Sequence, residues 1–368
     1  MVRAPLWCLI ALLTACAAPY GQRRPALPEA ELLSGEGIGL SVPSDPPISR
    51  EQAFGLDDTM REFVEAQVRG ARRSNAALQR LVFGMRMMGL FSLEYDDSVT
   101  RTVRDTFYDR RGNCLSFTML FVQLARAAGL DVRYQMVEVP PIWSAQADVV
   151  LVENHVNALV KMPQGGDFVI DFNVTDYRGR YPQREVDDDR ILALFYNNRG
   201  AEALIRKEYD SSFRYLKAAI EADPDLAGPW LNLGVLYGRH ERWEHADAAY
   251  LRALAADPGN RSALTNLANL HAYIGNDELA AYYQAETFRY QQRNPYYHYF
   301  LAKEAFDEGR FDDALEAVRQ ALRLKREVRD FHVLEAQALL ELGQAAEAER
   351  SLERADRYAD PLQRTAAR

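Results

Sequence analysis

The stretch WLNLGVLYGRHERWEHADAAYLRALAADP, residues 230–258, decides the fold of the C-terminal half of the chain. When the sequence is stepped by 34 residues from this stretch, small residues return at matching positions on both sides of it. The position of Gly234 is occupied in successive steps by Gly200, Gly234, Ala268, Ala302 and Ala336. A period of this length predicts that one supersecondary unit is stacked several times.

The motif formed by Trp230, Leu233, Gly234 and Tyr237, and closed by Pro258, resembles the tetratricopeptide repeat. The resemblance implies pairs of antiparallel helices, in which small residues let the two helices approach closely and each pair buries its open face on the next. Five units fit the sequence, at about residues 193–226, 227–260, 261–294, 295–328 and 329–362. We therefore expect an all-α solenoid over residues 193–362 that presents a surface for a protein or peptide partner.

Tyrosines crowd the third and fourth of these units. Six of them lie close together in the sequence: Tyr282, Tyr283, Tyr290, Tyr296, Tyr297 and Tyr299. An aromatic binding groove and ordinary packing between helices both fit this pattern. Packing is favoured, because aromatic side chains dominate protein cores as readily as interfaces.

Composition limits what the rest of the chain can be. The length of 368 residues predicts two or three domains. The composition, 48% hydrophobic and 26% charged, is that of globular proteins and excludes wholesale disorder. The net charge of −9 argues against a general nucleic-acid binder, which must neutralise phosphates. Of the three cysteines, Cys8 and Cys16 belong to the N-terminal segment, so Cys114 alone cannot build a disulfide framework.

Residues 1–16 read MVRAPLWCLIALLTAC. They have the features of a secretory signal peptide: a positive charge, a short apolar core and small residues before the cleavage site. Leu13-Thr14-Ala15-Cys16 resembles the bacterial lipobox, which implies a lipidated Cys16. The alternatives are a plain signal peptide that is cleaved nearby and an apolar N-terminus that is never cleaved. Ala17 resembles an outer-membrane sorting signal. We expect a lipoprotein of the bacterial cell envelope, anchored in the outer membrane and facing the periplasm. Residues 17–49, rich in proline and glycine, predict a flexible tether.

Residues 50–190 predict a separate domain of helices and strands. Helices are expected at 57–69, 75–88, 99–108 and 114–128, and strands at 132–139, 155–162 and 168–172. Cys114 begins the last of these helices, where unpaired N–H groups and the helix dipole stabilise a thiolate. His155 begins a strand and Asp171 lies in the next strand of a hairpin. Asp171 could therefore orient an imidazole that exchanges a proton with Cys114.

Three short motifs resemble the transglutaminase-like branch of the papain-type cysteine enzymes: Gly112-Asn113-Cys114, Asn154-His155-Val156-Asn157 and Val169-Ile170-Asp171-Phe172-Asn173. The resemblance covers residues 99–173 and implies an α+β papain-like fold ahead of the repeats. It implies that Cys114 is the nucleophile, His155 the base and Asp171 the orienting acid. Members of this branch cleave amides or transfer acyl groups to amines, and some have lost activity. Calcium is required by the animal enzymes, but no comparable loop is evident here, so we expect neither a metal nor another cofactor.

Several alternatives stay open from the sequence. Asn173 projects from the same strand face as Asp171 and could take the orienting role. Asn113 and Trp143 are candidate oxyanion-hole side chains, and neither is favoured. Attack by Cys114 on a carbonyl would give a thioester that water or an amine resolves, with a slight preference for water. The competing hypotheses are a non-catalytic scaffold lipoprotein whose thiol domain only binds peptide segments, and a redox role for Cys114.

Overall fold

The computed structural model describes residues 23–39, 45–90, 94–96, 98–137, 155–163, 166–172 and 183–358. The predicted signal peptide with Cys16, the loop that contains Trp143, and Asn173 lie outside the described residues. Within the described part of the chain, no helix is both long enough and apolar enough to cross a membrane.

The helices of the N-terminal half are α1 (Glu29–Leu32), α2 (Arg50–Phe54), α3 (Asp58–Val68), α4 (Ser74–Met87), α5 (Val103–Asp109) and α6 (Cys114–Ala127). A 3₁₀ turn at Glu36–Ile38 lies between the first two. Side-chain caps explain where several helices begin. Ser49 forms a capping box with Gln52 ahead of α2, and Asp57 accepts a backbone N–H at the start of α3.

A four-stranded antiparallel sheet packs beside α6. Its strands are β3 (Asp131–Val137), β4 (His155–Lys161), β5 (Phe168–Ile170) and β6 (Gln183–Val186), in the spatial order β5-β4-β3-β6. A separate parallel pair joins β1 (Glu94–Tyr95) to β2 (Arg111–Gly112). The three predicted strands are present. The edge strand β6 was not predicted, because Gln183, Arg184 and Glu185 give it no apolar alternation.

The helix α6 is the centre of the N-terminal core. Its buried residues run almost without interruption from Leu115 to Ala125, because α3 and α5 cover it on one side and β3 and β4 on the other. The Thr118 hydroxyl donates a hydrogen bond to the carbonyl of Val156 over 3.0 Å, which fixes α6 against the start of β4. These contacts set the distance between Cys114 and His155.

The C-terminal half is a run of helices in pairs. The pairs are α7 (Asp188–Ile205) with α8 (Tyr209–Ala222), α9 (Ala227–Arg239) with α10 (Trp243–Ala256), α11 (Arg261–Tyr273) with α12 (Asp277–Arg293), α13 (Pro295–Asp307) with α14 (Phe311–Leu324), and α15 (Arg329–Glu341) with α16 (Ala345–Arg357). In the described residues these five pairs follow the five predicted units in order. The predicted all-α solenoid is confirmed.

The first helix of the solenoid, α7, belongs to both halves of the molecule. Ile191 and Phe195 are buried in the same core as α6 and the sheet. Leu204, near the other end of α7, is buried in the core of the following repeats. The predicted boundary between residues 190 and 193 therefore falls inside one continuous helix, and the two halves pack together through it.

The prediction of a flexible tether over residues 17–49 is wrong for residues 23–38, which pack against the repeats. Leu32 is completely buried, and Leu27, Leu33 and Ile38 pack against the same core. The proline-rich composition predicted an unpacked chain. Four apolar side chains scattered among the prolines nevertheless bury enough surface to hold the segment in place.

The crowded tyrosines of the third and fourth units contribute mainly to packing. Tyr283 is buried in the repeat core. Tyr296 and Tyr299 pack on the ring of Phe331, with centroid distances of 5.4 and 4.9 Å. Tyr290 is the exception, because it is exposed.

Two glycines of α9 provide a test of how tightly a helix pair packs. A Cβ atom at Gly234 would overlap the ring of Tyr250 on α10, whereas a Cβ at Gly238 would lie 3.9 Å from the Tyr250 hydroxyl. Both substitutions gain the helix propensity of alanine, ~1 kcal/mol. Only Gly234→Ala meets an overpacking cost of about 1–3 kcal/mol. We therefore expect Gly234→Ala to be less stable than Gly238→Ala by about that cost in urea unfolding followed by circular dichroism; equal midpoints would contradict it.

Candidate active site

Cys114 occupies the first turn of α6 and is half-buried. Asn113 is the N-cap: its side-chain oxygen accepts hydrogen bonds from the backbone N–H and the hydroxyl of Ser116, over 3.0 and 2.9 Å. The cap leaves the N–H of Cys114 without an acceptor inside the helix. The Cys114 side chain therefore begins beside unpaired N–H groups, at the positive end of the helix dipole.

His155 and Asp171 come together across the hairpin of β4 and β5. The register that pairs Ala158 with Ile170 places Asp171 diagonally across from His155, on the same face of the sheet. The Nε2 atom of His155 lies 2.8 and 2.7 Å from the two carboxylate oxygens of Asp171. The imidazole is 4% exposed, so this contact is shielded from water. The predicted pairing of His155 with Asp171 is present in the structure.

The third predicted residue completes the arrangement. Cys114 is also hydrogen-bonded to His155. Because Nε2 is engaged by Asp171, Nδ1 is the ring nitrogen left to exchange a proton with the Cys114 sulfur. The structure thus brings together a thiol at a helix N-terminus, an imidazole and a carboxylate, which are the kinds of group that nucleophilic catalysis by cysteine uses.

Two opposing effects act on the His155 imidazole. Burial, the largest of them, lowers its pKa, while the hydrogen bonds and charges of Asp171 and Cys114 raise it, and the outcome is a pKa raised to about 9. The imidazolium form is therefore the favoured one at neutral pH. Its contribution to stability is fully present below the ordinary pKa of about 6.5 and is lost as pH rises through about 9.

Asn113 and Asn157, which flank Cys114 and His155 in the sequence, contact other side chains around the site. The Asn113 amide nitrogen donates to the Thr100 hydroxyl over 2.8 Å, so both ends of this side chain are engaged and it does not point to an oxyanion. Asn157 is buried beside the site, with its amide nitrogen 3.5 Å from Asp171, a long contact. Of the candidate donors in the described residues, the backbone N–H of Cys114 is the one left without an acceptor in the helix.

A series of buried hydrogen bonds, which no motif of the sequence predicts, links this site to the repeats. Glu202 of α7 is 4% exposed and accepts a hydrogen bond from the backbone N–H of Thr100 over 2.6 Å. The Thr100 hydroxyl in turn accepts a hydrogen bond from the side-chain amide of Asn113, the residue before Cys114. Arg199 contacts both Glu202 and the Thr100 carbonyl, over 3.4 and 3.3 Å. Burial is the main influence on Glu202 and raises its pKa, against the hydrogen bond from Thr100 and the charge of Arg199.

A second concave region lies at the opposite end of the sheet. It is lined by Asp131, Arg133, Lys161, Met162, Pro163 and Glu185. Asp131 and Lys161 are paired at one end of β3 and β4, whereas His155 pairs with Val137 at the other end. This region is therefore remote from the candidate site. In the described part of the chain, no group of three or more His, Cys, Asp and Glu side chains is placed to hold a metal ion.

Comparison with known proteins agrees with this architecture. Residues 61–171 match the family model described as the transglutaminase-like superfamily, and this span includes Cys114, His155 and Asp171. Residues 299–362 match the family model described as the tetratricopeptide repeat. The chain thus contains a transglutaminase-like domain followed by tetratricopeptide repeats, as predicted from the sequence.

Individual proteins are also similar to parts of the chain. The tetratricopeptide repeat-containing protein trd-1 of Caenorhabditis elegans is 27% identical over 160 residues, which cover 42% of this chain and 20% of that protein. This chain therefore matches only a fifth of its curated relative's length. MamA from Desulfovibrio magneticus is 16% identical, covers 47% of this chain and 96% of its own, and has a TM-score of 0.26. YrrB, described as a TPR protein with an unusual peptide-binding site, is 18% identical, with 48% and 91% covered and a TM-score of 0.26.

Substitutions of Glu202 test whether the first repeat supports the start of α6. Glu202→Ala leaves the buried N–H of Thr100 without an acceptor, so we expect a loss of about 1–3 kcal/mol in urea unfolding and slower alkylation of Cys114 in the folded protein. Glu202→Gln keeps a carbonyl acceptor at the same position and serves as the matched control. It should lose less stability and retain the alkylation rate. If both variants behave alike, the hydrogen bond to Thr100 does not position the nucleophile.

Proposed function

We propose that this chain is a lipoprotein of the bacterial cell envelope whose transglutaminase-like domain carries out thiol-dependent acyl transfer or hydrolysis at peptide or amide bonds. The observation that supports the proposal most is the buried imidazole of His155, which is hydrogen-bonded to Asp171 and to Cys114. A cysteine kept only for packing would not require an oriented imidazole beside it. Such clusters of interacting titratable groups are characteristic of catalytic sites.

In the proposed reaction the Cys114 thiolate attacks the carbonyl carbon of an amide. A C–S bond forms, and the carbonyl oxygen becomes an oxyanion that the backbone N–H of Cys114 can stabilise. The intermediate then collapses with cleavage of the C–N bond. The leaving amine takes its proton from the His155 imidazolium, and a thioester remains on Cys114.

The second half of the reaction resolves this thioester. The neutral His155 takes a proton from water or from an incoming amine, which attacks the thioester carbon. The C–S bond breaks, a carboxylic acid or a new amide leaves, and the thiolate–imidazolium pair is restored. Asp171 holds the ring orientation and stabilises the imidazolium in both halves. We favour hydrolysis because water is always available as the acceptor.

The repeats have the complementary role in this proposal. A tetratricopeptide solenoid offers an extended surface on which a protein or peptide can bind. Because α7 is buried in both cores, a partner held on the first repeats is carried next to the thiol domain. We propose that the repeats recruit the substrate or an assembly partner, while the lipid on Cys16 holds the protein at the membrane.

The pH dependence of Cys114 alkylation by iodoacetamide tests the thiol chemistry. An ordinary thiol of pKa about 8.5 is only about 3% ionised at pH 7. We expect Cys114 in the folded protein to be labelled about threefold or more faster at pH 7 than an ordinary thiol is, because the larger thiolate fraction outweighs its lower intrinsic nucleophilicity. His155→Ala should slow labelling at neutral pH and restore the ordinary pH profile. Asp171→Asn should leave a weak residual activity in any amide-directed assay, and Cys114→Ala should leave none.

Cys114→Ser is the matched control for these rates, since it removes the thiol with the smallest change of shape. Labelling of Cys114 only after unfolding, or at a rate indifferent to His155, would overturn the catalytic proposal. It would favour the scaffold alternative, in which the thiol domain binds peptide segments without reacting. Wild-type activity in Asp171→Asn would show that another residue orients the imidazole.

The lipid anchor is tested by fractionation of cells that express the full chain. Cys16→Ser removes the thiol that would carry the lipid, so we expect the protein to leave the membrane fraction; two or more acyl chains are needed for stable anchoring. Cys8→Ser, within the same N-terminal segment, is the control and should leave the protein with the membranes. Retention of the Cys16→Ser protein in the membrane fraction would contradict the lipoprotein proposal.

A further inference from the structure

Arg23, at the start of the segment that was predicted to be unpacked, enters a pocket of the second and third repeats. Its Nη2 and Nη1 atoms donate to the two carboxylate oxygens of Asp247 over 2.8 and 3.2 Å. Nη1 also donates to the Tyr283 hydroxyl over 3.1 Å and lies 3.0 Å from Nε2 of His271. We call Asp247, His271 and Tyr283 the arginine pocket.

The side chains of the arginine pocket are buried although all three are polar. Asp247, His271 and Tyr283 are 8%, 3% and 2% exposed. The rings of His271 and Tyr283 are stacked at 5.7 Å with an interplanar angle of 12°, and Nε2 of His271 lies 2.8 Å from Asp247. Among the described residues, Nδ1 of His271 has no hydrogen-bond partner. A buried carboxylate is costly unless a charged group pairs with it.

The donor geometry of the arginine pocket selects a guanidinium over other cations. The two carboxylate oxygens of Asp247 accept a parallel pair of N–H bonds, which only the planar fork of arginine supplies. The Tyr283 hydroxyl and the His271 ring also contact Nη1, in addition to its bond with Asp247. A lysine ammonium is a point charge and could not make the paired contact.

The rest of the segment follows α9 and α10 of the second repeat. The carbonyl of Leu32 accepts a hydrogen bond from the buried Tyr237 hydroxyl over 2.6 Å. Arg252 pairs with Glu29 over 3.0 Å, and Arg242 donates to the carbonyl of Gly37. These contacts combine one buried leucine with backbone carbonyls and exposed ion pairs, which is the composition of a bound peptide more than of a protein core.

From these contacts we infer that the second and third repeats carry a peptide-binding site whose arginine pocket recognises an arginine side chain, and that residues 23–38 are an exchangeable ligand for it within the same chain. The ligand class is an extended peptide with an arginine and, nine residues further on, a leucine, as in Arg23 and Leu32. Covalent attachment gives the chain's own segment a high effective concentration. A free peptide should therefore bind well only when the attached segment is weakened.

The test uses a fluorescein-labelled peptide of residues 22–39 and measures its binding to the full chain by fluorescence anisotropy. The double variant Arg23→Ala, Leu32→Ala weakens the attached segment, so we expect it to bind the peptide at least tenfold more tightly than the wild-type chain does. A peptide with Arg23→Ala should bind at least tenfold more weakly than the unchanged peptide. A peptide with Arg24→Ala, which alters an exposed neighbour, is the matched control and should bind normally.

A further substitution localises the effect to the arginine pocket. Asp247→Asn, added to the double variant, should weaken the unchanged peptide at least tenfold and leave the Arg23→Ala peptide unaffected. Equal affinity for the Arg23→Ala and Arg24→Ala peptides, or no binding to a folded double variant, would overturn the inference. The inference is independent of the thiol chemistry, so Cys114→Ser should leave every affinity unchanged.

A second measurement covers the case in which the double variant does not fold. Backbone amides of residues 29–33 are followed by hydrogen–deuterium exchange in single variants of the full chain. We expect Arg23→Ala to speed their exchange at least tenfold, because losing the arginine contact lets the segment open more often. Arg24→Ala should match the wild type. Unchanged exchange in Arg23→Ala would show that the segment is a fixed part of the fold and would overturn the inference.

Discussion

The hydrogen bonds at the start of α6 are the constraint on which the rest of the structure depends. Asn113 caps the helix that carries Cys114, Thr100 holds the other end of the Asn113 side chain, and Glu202 of α7 holds the backbone of Thr100. Asn113, Thr100 and Glu202 are all buried, and each has its hydrogen-bonding groups paired with the next residue of the series. Because Glu202 belongs to the first repeat, the position of Cys114 is set partly by the solenoid.

The charge state of His155 is set by burial, which lowers its pKa, and by Asp171 and Cys114, which raise it. A buried imidazole would normally remain neutral, yet the carboxylate of Asp171 and the thiol of Cys114 raise the pKa of His155 to about 9. The imidazole ring and the N-terminus of α6 both lie beside the Cys114 sulfur. The hairpin of β4 and β5 supplies the geometry, since its register places Asp171 on the same face as His155.

The packed N-terminal segment changes how the proposed anchor would act. In the sequence, Arg23 lies seven positions after Cys16, with six residues between them. A fully extended chain of that length reaches about 25 Å. A lipid on Cys16 would thus hold the second and third repeats close to the membrane while Arg23 occupies its pocket. Exchange of the segment for another peptide would free residues 17–49 as a longer connection.

Local patterns in the sequence determined the five repeat units and singled out Cys114, His155 and Asp171, which the structure brings together. Small residues that recur every 34 positions act through contacts within one helix pair, and the motif of each site residue is a few residues long. The tertiary structure alone decided the link through Glu202, the edge strand β6 and the packing of Arg23 into the repeats. Each of these is made by polar residues that meet partners distant in sequence, and no local periodicity encodes such a contact.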